Sequence, residues 1–427
     1  MIKKTVFLIP SLFVSLLPCA FASDFPLAKS AAEIAAADLE LPEAKLSPAA
    51  PVKDWTVMYF INGKNNLESS AMMDMNQLEL VGTTGRVNIA VELGRMNGQH
   101  EGDDHSEGDW TGVRRYLVKK DADTSRVNSP VLQDLGKVDM GSWKELVSFI
   151  NWSKANFPAR RYALVLWDHG SGWKPLDMAN AHDFGNLKGF SLDDETGHEF
   201  STPQLAAALK AVGGVNFLML DGCNMQMASV AYELKDHAEA LTASEETEPG
   251  VVVRYAQFLG MLNAKPSMGA EEFAVNTVRT YRDYFTNAGG DNEGAPVTQS
   301  ALRLSKMTAF REKLDLWAAA AMKADPALLR YAGSKAKIFG EDPEYKDLYD
   351  FLELVTAGTA DPRLKPLGLE VMRFLKSELV LENWAEDAVS HGLSIYIPGT
   401  YDPLYDQLAF SRDGRWDEFA KFMAALK

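Results

Sequence analysis

A chain of 427 residues with 46% apolar and 24% charged side chains has the composition of a soluble globular protein able to bury a sizeable core, as one large domain or two ordinary ones. Its formal net charge of -16 argues against non-specific binding to nucleic acid or anionic lipid, because both carry the same sign. No HExxH, GxSxG, P-loop or GxGxxG pattern occurs, which speaks against zinc peptidase, serine hydrolase and nucleotide-binding chemistry.

Lys3 and Lys4 precede an apolar run at residues 6–17, and Ala20-Phe21-Ala22 supplies the small residues that a signal peptidase needs. About a dozen apolar residues are too few to cross a bilayer stably, so residues 1–22 read as a cleaved signal peptide and the mature chain as exported, periplasmic or extracellular, without a membrane span. Of the two cysteines, Cys19 leaves with that segment and Cys223 stays alone in an oxidising compartment. Such a thiol has no intramolecular disulfide partner and is either buried and inert, paired between molecules, or reactive.

Residues 23–53, rich in Ala and Pro, read as a linker or propeptide. A strand at 55–61 leads into an Asn-rich turn at 62–66, a helix at 67–81 and a second strand at 87–93. Residues 110–118 alternate like one arm of a hairpin, and 142–156 have helical spacing. Two continuous apolar runs follow, at 162–167 and 217–220, separated by a polar loop at 173–198 and a helix at 202–212. Runs of that kind suit strands buried on both faces of a parallel sheet. Further helices are expected at 270–287, 306–323, 345–357, 367–379 and 416–426, and strands at 299–304 and 393–397 that return to the sheet. The alternation predicts an α/β fold with helices on both faces of the sheet, its core at 54–260 and a more helical region at 261–427.

Ligands of open α/β sheets bind beyond the carboxyl ends of the strands. Trp167-Asp168-His169-Gly170-Ser171-Gly172 follows one buried run at that end, and Asp221-Gly222-Cys223 follows the next. If the two strands are neighbours, His169 and Cys223 emerge side by side, and an imidazole that takes the thiol proton makes Cys223 a nucleophile. Gly170 allows a tight turn, and its N–H, with that of Cys223, could receive a tetrahedral oxyanion. Alone, each residue suits a structural role; both beside glycine at equivalent strand ends favour catalysis. His391-Gly392 precedes its strand and belongs at the opposite edge, whereas His182, His198 and His237 read as solvated.

The same residues carry a resemblance to the clostripain-like cysteine peptidases. Trp55-Thr56-Val57-Met58-Tyr59 with Asn65-Asn66-Leu67-Glu68 is similar to the family's first strand and turn. Trp167-Asp168-His169-Gly170-Ser171-Gly172-Trp173 resembles its catalytic histidine block, and Asp221-Gly222-Cys223-Asn224-Met225 with Ala231-Tyr232-Glu233-Leu234 its nucleophile block. Ala243-Ser244-Glu245-Glu246 and Glu248-Pro249-Gly250, then Gly392-Leu393-Ser394-Ile395-Tyr396-Ile397-Pro398, follow in family order. The resemblance implies a caspase-like, mostly parallel sheet, a His169–Cys223 dyad acting on protein or peptide substrates, and cleavage after Arg or Lys with Asp221 lining the S1 pocket and Ser244 and Glu245 at the substrate. Two departures stand out: Val251-Val252-Val253-Arg254, where relatives have an acidic, aromatic run, and Asn224, where they have an apolar residue.

No cofactor is required by such chemistry. Asp193-Asp194-Glu195 and Asp103-Asp104 offer oxygen ligands of the kind Ca²⁺ takes, or form exposed loops without metal. The alternative in a different class is a catalytically inactive caspase-like binding protein of the cell envelope.

Overall fold

A computed structural model describes residues 51–96, 98–174, 189–250, 254–290, 292, 294, 296–340 and 342–426. The expected signal peptide, nearly all of the 23–53 segment, His182 and residues 251–253 lie outside the described residues.

The first described strand, β1 (Lys53–Gly63), pairs in parallel with β2 (Val87–Arg95) and, on its other side, with β5 (Ala159–Trp167). After β5 the chain makes a separate antiparallel pair, β6 (Phe190–Asp193) and β7 (His198–Phe200). β5 itself pairs in parallel with β8 (Phe217–Asp221), and β8 with β9 (Ala240–Ala243). Two antiparallel pairs extend this parallel centre. β3 (Gly112–Leu117) and β4 (Val131–Gly136) lie on one side, β10 (Thr298–Arg303) and β13 (Val380–Ala385) on the other. The nine-stranded order is β13-β10-β9-β8-β5-β1-β2-β3-β4. The chain is thus α/β with a large, mostly parallel sheet, as its alternating pattern predicts.

The apolar runs are continuous because each strand feeds two cores. Met58, Phe60, Leu164, Leu166, Leu218 and Leu220 point into one, and Val57, Tyr59, Ile61, Ala163, Val165, Phe217 and Met219 into the other. On the second face pack α1 (Glu68–Glu79), α5 (Tyr255–Ala264) and α6 (Ala270–Asn287). On the first pack α2 (Trp143–Asn156), α3 (Thr202–Ala211), α4 (Ala228–Leu234) and the later helices α7 (Met307–Ala321), α8 (Pro326–Lys335), α9 (Leu348–Gly358), α10 (Leu364–Phe374), α11 (Ala409–Asp413) and α12 (Trp416–Ala425). α3 starts sharply: the Ser201 hydroxyl accepts from the Gln204 N–H, and the Gln204 side chain accepts from Ser201 N–H.

The C-terminal part departs from the expected elements. Residues 393–397 do not return to the large sheet. β14 (Ser394–Tyr396) instead pairs with β12 (Asp342–Asp347), which also carries β11 (Ile338–Phe339). The sheet edge is taken by β13, whose Glu382 and Asn383 suit a half-buried edge strand. Nor does a helix begin at Tyr345: Asp347 accepts the Asp350 N–H at 2.7 Å, and this cap starts α9 at Leu348.

Phe273 on α6 is fully buried against Trp55, Phe217 and Phe258, with ring centroids 5.5, 4.9 and 5.8 Å away. Phe273→Ala is expected to cost about 3–5 kcal/mol in urea unfolding. Leu316→Ala, on the exposed side of α7, is expected to stay within about 0.5 kcal/mol of the parent.

Candidate active site

In the register of β5 and β8, Trp167 stands opposite Asp221. The two segments that follow therefore leave the sheet together, and the Asp168 N–H still donates to the Asp221 carbonyl at 3.3 Å. A Cβ on Gly222 would lie 2.5 Å from the Asp168 carbonyl oxygen and 3.3 Å from the Gly170 nitrogen. One on Gly170 would lie 2.7 Å from the Cys223 carbonyl oxygen. These two glycines let the His169 and Cys223 segments touch backbone to backbone. Gly170 thus serves close packing, while the left-handed turn falls two residues later, at Gly172 with φ +69°.

His169 and Cys223 line one cleft with Leu67, Trp167, Glu248 and Tyr255 among its walls. No direct hydrogen bond joins the two. His169 Nε2 lies 2.7 Å from Asn66 Oδ1, and Cys223 Sγ accepts the Glu248 N–H at 3.3 Å. Burial holds the His169 imidazole below its ordinary pKa, with Asp194 pulling the other way. Burial also pushes the Cys223 thiol up to about 11, more than the Glu248 N–H lowers it. The resting pair is consequently a neutral thiol beside a neutral imidazole.

The residues behind His169 form a buried polar network. Asp168 accepts from Asn62 Nδ2 at 3.0 Å, from Asn65 Nδ2 at 2.6 Å and from the His169 N–H at 2.6 Å. This ties the histidine segment to the turn after β1, which also delivers Asn66. The sequence marks neither Asn66 nor Asp168 as a partner of His169; the Asn-rich run at 62–66 is the one visible trace of the network.

The predicted substrate contacts fare differently. Asp221 does line the cleft, but both its oxygens are taken, Oδ1 by the Arg254 guanidinium and Oδ2 by the Tyr255 hydroxyl. A carboxylate so occupied has a partner at each oxygen, and its charge is already met by a guanidinium. Ser244 and Glu245 are not in the cleft wall at all. Ser244 is fully buried with its Oγ 3.0 Å from Thr298 Oγ1, and Glu245, 1% exposed, accepts the Gly392 N–H at 2.8 Å. Both pin the end of β9 to β10 and the segment before β14; Glu248, Pro249 and Gly250 reach the cleft instead.

Asn224, the departure beside the nucleophile candidate, has φ +59°. Its side chain donates to the Glu245 carbonyl at 2.9 Å. Asparagine tolerates this left-handed backbone where an apolar residue would be strained. Of the other histidines, His391 stacks on Tyr349 and faces Asp347 at 3.1 Å, and His198 faces Asp139 at 2.7 Å. At the acidic group, Lys64 is buried 2.7 Å from Asp193 and 2.9 Å from Glu195, so a cation already stands where calcium was considered. Among the described residues no group of three His, Cys, Asp or Glu side chains is arranged to hold a metal ion.

Gly222→Ala is expected to unfold at clearly lower urea concentration than the parent, because the backbone it would strike cannot yield cheaply. Gly260→Ala, mid-helix on α5 with open space around it, is expected to gain about 0.5–1 kcal/mol. Alkylation of Cys223 by iodoacetamide should quicken steadily from pH 7 to pH 10, since the thiolate forms only as pH approaches the raised thiol pKa; a rate already flat at pH 7 would contradict the neutral resting pair.

The sequence profile of the clostripain family matches residues 59–421. Clostripain of Hathewaya histolytica is 25% identical over 229 residues, a match covering 49% of this chain and 42% of clostripain, so less than half of that protein's length is represented. The inactive zymogen C11 protease of Parabacteroides distasonis superposes with a TM-score of 0.61 at 17% identity, over 86% of this chain and 99% of that one. A secreted C11 cysteine protease from Bacteroides thetaiotaomicron, solved with an irreversible peptide inhibitor, gives 0.58 at 19% identity, over 88% and 99%. These superpositions show a shared caspase-like fold, and the profile match over most of the chain shows that this protein belongs to the clostripain family.

Proposed function

We propose that this protein is an exported cysteine endopeptidase with Cys223 as nucleophile and His169 as its base. One observation carries the reading: adjacent parallel strands, in register at Trp167 and Asp221, deliver an imidazole and the thiol to one cleft at the carboxyl edge of the sheet.

The electrostatics select the form of the mechanism. With the thiol held up and the imidazole held down, a standing thiolate–imidazolium pair is disfavoured, so the proton moves as sulfur attacks. Asn66 Oδ1 accepts the Nε2–H of His169, which leaves Nδ1 as the basic nitrogen for the thiol proton. The Cys223 sulfur bonds to the scissile carbonyl carbon, and the oxyanion is received by the N–H groups of Gly170 and Cys223. His169 then returns the proton to the leaving amine, and water hydrolyses the thioester.

Cleavage after Arg or Lys is what the family resemblance implies, with Asp221 lining the S1 pocket; the Arg254 and Tyr255 contacts work against it. The second reading, a non-catalytic envelope protein, draws on the high thiol pKa and the missing His169–Cys223 hydrogen bond. Export rests on the N-terminal segment, and Edman sequencing of protein from the native host should begin at Ser23.

Against a panel of fluorogenic peptides, Cys223→Ala and His169→Ala are each expected to lose activity by roughly 1,000-fold or more. Asn66→Ala should lower kcat by roughly tenfold to 100-fold with little change in KM, and should shift the acidic limb of the pH profile. Undiminished turnover by Cys223→Ala would end the dyad assignment. Turnover of no peptide by a parent whose Cys223 also resists alkylation would favour the binding protein.

A further inference from the structure

We infer that the S1 subsite of this protein selects an uncharged P1 side chain, because Arg254 is a built-in counterion that occupies the carboxylate a basic P1 residue would need. The inference rests on the peptidase reading above and concerns what its cleft accepts.

Arg254 immediately precedes α5 and its side chain is fully buried. Its guanidinium is gripped from three elements and the loop after β9. It pairs with Asp221 at the end of β8 and donates to Gln299 Oε1 of β10 at 2.6 Å. Its Cζ stands 4.5 Å from the ring centre of Tyr281 on α6, and Glu248 Oε1 lies 3.9 Å from its Nη2. A guanidinium with this many directional partners is a fixed part of the wall and not a side chain that yields to substrate. The second oxygen of Asp221 is closed by Tyr255, so displacing one partner would not by itself expose the carboxylate.

The remaining acids of the cleft are buried, which works against their charged forms. Burial and the neighbouring Asp221 push the Glu248 carboxyl well above its ordinary range, against the pull of Arg254. Gln299 Nε2 also donates to Glu248 at 3.1 Å. Burial raises Asp74 likewise, despite bonds from Trp167 and Gln77, and raises Asp168, which three donors already hold. Burial thus disfavours the charged forms of Asp74, Asp168 and Glu248, and Asp221 already faces the Arg254 guanidinium. The other walls, Leu67, Trp167, Pro249 and the Tyr255 ring, are apolar. An entering ammonium or guanidinium would surrender its water to meet a resident cation and no open anion. An uncharged side chain loses nothing of the kind.

The test compares one peptide series differing only at P1, with Leu, Ala, Gln, Lys and Arg, on the parent and on Arg254→Gln. The parent is expected to cleave the best uncharged member with kcat/KM roughly tenfold or more above Arg and Lys, and Arg254→Gln is expected to narrow or reverse that gap by freeing Asp221 Oδ1. A parent that prefers Arg or Lys overturns the inference. The parent series needs no substitution, so it decides even if Arg254→Gln fails to fold. A second arm is independent of turnover: calorimetric titration of the parent with benzamidine, a guanidinium-like probe. No saturable binding at millimolar concentration is expected, and binding competed by an Arg peptide overturns the inference. If no peptide is turned over, the peptidase reading fails by the first arm while the benzamidine titration still decides the charge of the subsite.

Discussion

The parallel pairing of β5 with β8 is the constraint on which the rest of the molecule depends. Both strands are apolar throughout because alternate residues feed two separate cores, one on each face of the sheet. A slip of one residue in either strand would exchange those faces, so burial on both sides pins the register as firmly as any hydrogen bond. That register sets Trp167 against Asp221, and everything at the cleft is counted from there. His169 and Cys223 are each two residues farther on, and Gly170 and Gly222 let their backbones come into contact. The helices on both faces are required by this arrangement, since a sheet apolar on both sides must be covered twice.

Burial also sets the chemistry at the edge. The cleft gathers Asp74, Asp168, Asp221 and Glu248 within a wall that has little access to water, and such groups ionise only where a partner compensates the lost hydration. Asp221 has its partner in Arg254. Asp74 and Glu248 do not have one of equal quality, and their pKa values rise accordingly. The same force acts on Cys223 and His169 in opposite senses, raising the acid and lowering the base, so both ends of the pair favour their neutral forms. The fold that brings the pair together therefore also holds it in its less reactive ionisation state.

How much of this was legible in the sequence follows from which signals are local. The runs at 162–167 and 217–220 announced buried parallel strands, and the residues after them announced the site, because strand burial and strand ends can be read from a few neighbouring residues. The pairing of Asp221 with Arg254 could not be read so. Arg254 lies 33 positions away, and nothing in its own neighbourhood says that its guanidinium turns inward. Ser244 and Glu245 sat in a motif that resembles a substrate-binding stretch, yet burial against Thr298 and Gly392 depends on elements more than 50 residues downstream. The strand at 394–396 was foreseen, but its partner was not. β12 hides in a segment whose later residues look helical, and only the Asp347 cap marks where one element gives way to the next. Asn224 is the instructive case: an apparent departure in the nucleophile block suits its backbone once the positive φ is known.

The central claim is that the sheet makes Cys223 a nucleophile through His169, and a mechanism-directed electrophile tests it most directly. The folded protein and its His169→Ala variant would be incubated with a peptidyl acyloxymethyl ketone carrying leucine at P1, followed by intact mass measurement and peptide mapping. A single adduct on Cys223 of the folded parent is expected, formed far more slowly by His169→Ala and not at all by denatured protein. Equal labelling of parent, variant and denatured chain would mean that Cys223 reacts as an ordinary thiol, and would contradict the account.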